Sequence, residues 1–218
     1  FILPISFFVL VGLSNSVNLT DGLDGLAAGC SGIVFYGLGT EILMKEQQDL
    51  IIFSILCYSM SGICLGFLKY NSYPARIFMG DGGSLVIGFI IACCAIRACS
   101  MQIQPVGVNN PVFILCILAY PSIDTLRVFI VRIFDGKSPF SADRNHIHHL
   151  LIDKDFNHGW ASFFAVMYCA VLTLICFFLI NYPNLSFFIM VSLAILFIVL
   201  PMASFARSTT LKILSFFK

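Results

Sequence analysis

The sequence predicts an all-α integral membrane protein with about seven transmembrane helices, and three observations carry that expectation. Of its 218 residues, 59% are hydrophobic and only 11% are charged, against roughly 25% charged in soluble domains. The apolar residues fall into runs near the ~20 residues that a helix needs to cross hydrocarbon. The basic residues gather on alternate connections between those runs. This composition excludes a water-soluble enzyme. The balance of 12 Lys+Arg against 11 Asp+Glu also gives no general basic field, so nucleic acid is not expected as a partner and membrane lipid is.

In order, the runs are 1–13, 25–44, 50–68, 83–101, 112–130, 161–180 and 185–205. Their mean hydropathy is high, +0.97 over the whole chain, and the fourth and fifth include Arg97, Asp124 and Arg127. The chain reads as a single transmembrane domain, 1–218. Connections 14–24, 69–82, 131–160 and the tail after 205 then share one side of the membrane, and 45–49, 102–111 and 181–184 share the other. Lys69, Arg76, Arg127, Arg132, Lys137, Arg144, Lys154, Arg207, Lys212 and Lys218 lie in or beside the first set, leaving Lys45 and Arg97 for the second. Such a bias marks the first set as cytoplasmic. The nine cysteines lie inside apolar runs without metal-type spacing and read as buried thiols.

Three motifs with chemical content all fall on that cytoplasmic side. The first is Asn18-Leu-Thr-Asp21-Gly22-Leu-Asp24-Gly25. Its two carboxylates can converge on one face of a turn whose glycines let the backbone approach a ligand closely. Helix ending and capping would explain the same residues without a substrate. The second is Phe78-Met-Gly80-Asp81-Gly82-Gly83-Ser84, a glycine-rich helix start suited to phosphate oxygens, with Asp81 as a hard ligand for Mg²⁺. It lacks the Gly-Lys-Ser/Thr element of a P-loop. The third, Ser141-Ala-Asp143-Arg144-Asn-His146-Ile-His148-His149, would place His146 and His149 on one helical face, with Arg144 able to pair a phosphate. Phosphate contact or proton handling is the favoured use of these imidazoles over zinc.

Other polar residues read as structural. Asp124 and Arg127, three apart, suit an intramembrane ion pair. Glu41 is expected at an outer boundary, Tyr168 and Tyr182 as interfacial anchors, and His158 in a solvated loop.

Taken together and in order, NLTDGLDGLAAG, FLKYNSYPARIFMGDGGSLVIGF and SPFSADRNHIHHLL resemble the polyprenyl-phosphate N-acetylhexosamine-1-phosphate transferases (glycosyltransferase family 4), multi-pass enzymes of the bacterial inner membrane with a cytoplasmic active site. The last token is similar to the WecA-like branch, which uses UDP-N-acetylglucosamine. The resemblance implies transfer of GlcNAc-1-phosphate from UDP-GlcNAc to undecaprenyl phosphate with release of UMP, the initiating step of a cell-envelope polysaccharide, and Mg²⁺ or Mn²⁺ as cofactor. It implies a metal-binding role for Asp81, catalytic roles for Asp21, Asp24, His146, His148 and His149, and substrate binding by Asn18, Asn71, Phe78 and Arg144, with Asn71 and Phe78 holding uracil. A homodimer is admitted. The nearer alternative is a phospho-MurNAc-pentapeptide transferase of the same family. The rival from another class is a multi-span transporter using mid-membrane charges such as Asp124 and Arg127. The family's paired-Asp motif has no equivalent before Asn18, so this chain is expected to be the C-terminal part of a larger one, and the functional expectation concerns the complete protein.

Overall fold

The structure, a computed structural model, describes residues 2–44, 48–99, 114–115, 117–134, 136, 138 and 157–178, with isolated positions 185, 188, 189 and 192. Helices and turns make up the described residues: α1 (Ile2–Thr20), α2 (Leu26–Leu43), a 3-10 turn (Gln48–Leu50), α3 (Ile51–Asn71), α4 (Gly80–Cys99), α5 (Ala119–Phe134) and α6 (His158–Phe178). Among the described residues every regular element is helical, as in an all-α integral membrane protein. Five of these helices, α1 to α4 and α6, are long and apolar enough to span a bilayer. Helix α5 is the described part of the fifth predicted run, and most of the seventh lies outside the described residues.

The first run is longer than expected. Ser14, Asn15, Ser16, Asn18 and Thr20 lower its hydropathy and suggest a loop, yet they are helical. Their polar groups are absorbed locally: Asn15 Nδ2 donates to Val11 O at 2.8 Å and Thr20 Oγ1 to Ser16 O at 2.8 Å, while Ser14 Oγ reaches Leu85 O of α4 at 2.7 Å. Asn18 therefore stands on the last turn of a helix, where its position is fixed.

Helix α2 is the centre of the bundle, with Leu26, Val34, Phe35, Leu38 and Ile42 buried, and it packs most extensively on α3 while α1 packs on α4. Small residues permit both contacts, as expected where lipid offers no hydrophobic drive between helices. Ser61 Oγ donates to Gly32 O and Ser54 Oγ to Gly39 O, each at 2.9 Å. A Cβ on Gly88 of α4 would lie 2.6 Å from Ser14 Cα, so α1 and α4 touch backbone to backbone there. Ile52, Ile55, Ile63 and Leu65 of α3 remain exposed, which suits a face turned to lipid.

Four expectations need revision. Glu41 is 1% exposed and lies inside the bundle rather than at a boundary, because α2 is enclosed by its neighbours. Tyr168 packs edge-on against Tyr120, ring centroids 6.4 Å apart, in the middle of α6 instead of at an interface. Cys99 is exposed and Cys93 half-buried, unlike the other described cysteines. His158 is the first residue of α6, not a loop residue. The expected ion pair is present: Arg127 Nη2 and Nε donate to the same Asp124 oxygen at 3.0 and 3.2 Å, both residues being buried. One residue from that acid, Thr125 Oγ1 shares a 3.0 Å hydrogen bond with Ser16 of α1.

Candidate active site

The end of the bundle where α1 stops, α2 starts, α3 stops and α4 starts collects most of the predicted site. Two glycines shape it. Gly25 has φ 77° and Gly80 φ 67°, left-handed conformations that cost other residues roughly 1–2 kcal/mol. At Gly25 this turns the backbone N–H toward Asn71 Oδ1, 3.1 Å away. At Gly80 it lets the chain enter α4 with its N–H donating to the Asp21 carboxylate.

The acids meet across those turns. Asn18 donates from its amide nitrogen to Asp81 Oδ1 at 3.1 Å and to Ser84 Oγ at 2.8 Å. Ser84 is buried and its hydroxyl donates to Gly80 O at 3.0 Å. Asn18 thus fixes one oxygen of Asp81, while the rest of that carboxylate stays exposed at the first turn of α4, where a helix N-terminus favours negative charge. The Asp21 carboxyl is pushed up to about 6. Half-burial is the larger cause and the neighbouring Asp81 charge adds to it, against the Gly80 N–H that lowers it.

Asp24 and Asn71 do something different here. Asp24 Oδ2 accepts the Ala75 N–H at 2.9 Å. Asn71, buried at 2% exposure, accepts from Gly25 N and donates to Ile77 O at 2.9 Å. Together they hold the α3–α4 connection, residues 72–79, against the α1–α2 turn. That connection presents Phe78, 77% exposed, as a free aromatic face beside Asp81, suited to stacking on a planar ring.

Asn18, Asp21, Asp24, Asn71, Phe78 and Asp81 are therefore gathered at one end. Arg144, His146, His148 and His149 lie outside the described residues. Ser84 was not singled out from the sequence as a site residue, although its place one helical turn after Asp81 in a glycine-rich helix start is the signal that finds it.

Residues 1–99 match Glycosyl transferase family 4. The family-4 segment thus holds the whole described acid cluster. Among curated relatives, the phospho-N-acetylmuramoyl-pentapeptide-transferases of Prochlorococcus marinus strains MIT 9312 and MIT 9215 are 86% and 82% identical over 96 residues, 44% of this chain and 27% of each relative. The "Probable undecaprenyl-phosphate N-acetylglucosaminyl 1-phosphate transferase" of Bacillus subtilis strain 168 is 38% identical over 156 residues, 71% of this chain and 42% of that relative. The chain spans about a quarter of the length of the Prochlorococcus relatives it matches. These proteins are named as phospho-sugar transferases, the class that the family-4 segment resembles.

Among the described residues no three His, Cys, Asp or Glu side chains form a metal cage. Asp21 and Asp81 still fit a divalent cation of the Mg²⁺ kind, which typically takes one or two carboxylates and completes its shell with water and substrate phosphates. Asp21, raised mainly by half-burial with a smaller addition from the Asp81 charge, would be relieved by a cation held near both carboxylates.

Proposed function

We propose that the complete protein moves a phospho-N-acetylhexosamine from a UDP donor to undecaprenyl phosphate at a membrane interface, and that the donor is UDP-MurNAc-pentapeptide. The observation that carries this reading is the convergence of Asn18, Asp21 and Asp81 at one end of the family-4 segment. The donor assignment draws on the 86% identity to a phospho-N-acetylmuramoyl-pentapeptide-transferase.

In the proposed reaction an oxygen of the lipid phosphate attacks the sugar-linked phosphorus of the donor. The bond to the uridine-bearing phosphate breaks and UMP leaves. The acceptor, a monoester with a second pKa of about 6, is largely dianionic near neutrality and needs no strong base. The task of the protein is to align anions and to offset the charge that grows on the departing phosphate. Phe78 would stack on the uracil. Asn18 orients Asp81, and Asp21 with Asp81 would hold Mg²⁺ or Mn²⁺, which supplies charge neutralisation at the diphosphate. Arg144 and the three histidines are proposed partners for the same phosphates.

A second donor has an observation of its own. A 96-residue match cannot contain both Asp21 and His146, whereas a continuous 156-residue match in this chain reaches across both Asp81 and His149 wherever it starts. The longer match names N-acetylglucosamine 1-phosphate, as the DRNHIHHLL token implies. Membranes carrying the complete protein, given undecaprenyl phosphate and each UDP donor in turn, decide the matter. UMP release with the muramoyl-pentapeptide donor alone is expected. Release with UDP-GlcNAc alone would overturn the donor assignment, and release with neither would overturn the transferase reading.

A further inference from the structure

We infer that Tyr73, stacked on His158 and backed by Gly159, is a positioning residue: the contact pins the α3–α4 connection to the start of α6 and so sets where Phe78 stands relative to Asp81. The inference rests on the proposed reading of that end as a nucleotide-sugar site. The Tyr73 and His158 rings lie 6.1 Å apart with planes 19° from parallel, within the range of offset aromatic stacking. Gly159 brings the α6 backbone under the same ring. A Cβ there would sit 3.1 Å from Tyr73 Cδ1 and 3.4 Å from its Cβ and Cγ, so any side chain must push the ring away.

The platform beneath the ring is firm. Asn157 caps α6, its Oδ1 accepting the Gly159 N–H at 2.9 Å and its carbonyl accepting the Ala161 N–H at 3.0 Å. On its other side the connection is latched by Asp24 to Ala75 and by Asn71 to Ile77. These two latches tie it to the α1–α2 turn and the end of α3. Arg76 N–H donates to Tyr70 O at 2.8 Å on the same side, whereas the Tyr73 contact ties the connection to a different helix. Because Tyr73 is 48% exposed, its loss removes little from the core. The connection would shift as a unit, taking Phe78 out of register with Asp81, while the bundle stays folded.

In the complete protein, Tyr73→Ala and Gly159→Val are each expected to raise the KM for the UDP donor about tenfold while kcat changes less than about twofold, the signature of lost binding rather than lost chemistry. Tyr73→Phe keeps the ring and restores the KM. Tyr73→Ala combined with His158→Ala should cost no more than the larger single change, as for two residues sharing one interaction. A readout without activity runs beside these: trypsin cleavage after the exposed Arg76 in the connection should speed up in Tyr73→Ala and Gly159→Val and not in Tyr73→Phe. A wild-type KM and unchanged cleavage in both disruptive variants would overturn the inference. So would a KM rise matched by a fall in thermal midpoint, which marks a merely structural role. If wild type releases no UMP from either donor, the site reading has failed, and the cleavage rates still decide whether the contact holds the connection.

Discussion

Two polar clusters sit in this apolar bundle, and they are built on opposite electrostatic plans. On α5, Asp124 and Arg127 cancel each other inside the protein, two nitrogens on one oxygen at 3.0 and 3.2 Å. At the ends of α1 and α4, Asp21 and Asp81 are neighbours of like charge, and half-burial, with a smaller addition from the Asp81 charge, raises the Asp21 carboxyl to about 6. A buried pair whose charges are balanced within one helix asks for nothing further, although removing one partner strands the other charge. A pair of neighbouring acids at a helix end is costly unless a cation joins it, which makes the second cluster the place to look for chemistry and the first the place to look for stability.

The sharpest way to break this contrast is to unbalance the pair on α5. Arg127→Ala leaves Asp124 buried without that partner and should destabilise the detergent-solubilised protein by about 3–5 kcal/mol, whereas replacing both residues with leucine should recover most of the loss. Thermal unfolding of the three proteins measures it. A double variant as unstable as the single one would mean the pair carries more than mutual neutralisation.

The converse change belongs to activity. On the proposed function, Asp81→Asn should lower kcat of the complete protein by on the order of 10²–10³, as losing one preorganised electrostatic group does, with the thermal midpoint little changed because Asp81 is exposed. UMP release and unfolding, measured on the same preparation, separate the two effects.

A smaller effect reads the raised Asp21 carboxyl by pH. With Asp21 titrating near 6, above its ordinary 3.8, the cation-free protein is favoured by this group while the carboxyl stays protonated and loses that contribution as pH rises from about 4 through 6. Asp21→Asn should flatten this part of the stability profile, and Mg²⁺ should lower the Asp21 midpoint. Thermal midpoints across pH, with and without the ion, read both. The smallest effect is Ser84→Ala, which removes one acceptor from the Asn18 amide. It should cost about 1 kcal/mol and raise the concentration of Mg²⁺ needed for half-maximal rate severalfold.

How far the sequence reveals these clusters follows from how each is built. Hydropathy locates the helices because burial in lipid is a property of composition, and parity places the three motifs on one side. Hydropathy also misplaces the end of α1, since Asn15 and Thr20 hide their polar groups in bonds to their own helix, which no average over side chains reports. The places of Glu41 and Tyr168 are hidden for a related reason: a span's chemistry does not show whether neighbours enclose it, and α2 is central. Asp21 and Asp81 are legible as acids beside glycines, but their approach across the α1–α4 crossing depends on Gly88 letting two backbones touch. The Asp24 latch and the Tyr73 stack join residues that motif spacing cannot pair, because the first links two connections and the second links a connection to the start of a distant helix.

The most direct test of the account is Mn²⁺ electron paramagnetic resonance on the complete protein with UMP, comparing wild type with Asp81→Asn. The account predicts an ion bound at this end of the bundle in wild type, coupled to the phosphorus of the nucleotide, and loss of that coupling in the variant. Equal binding and equal phosphorus coupling in the two proteins would contradict it.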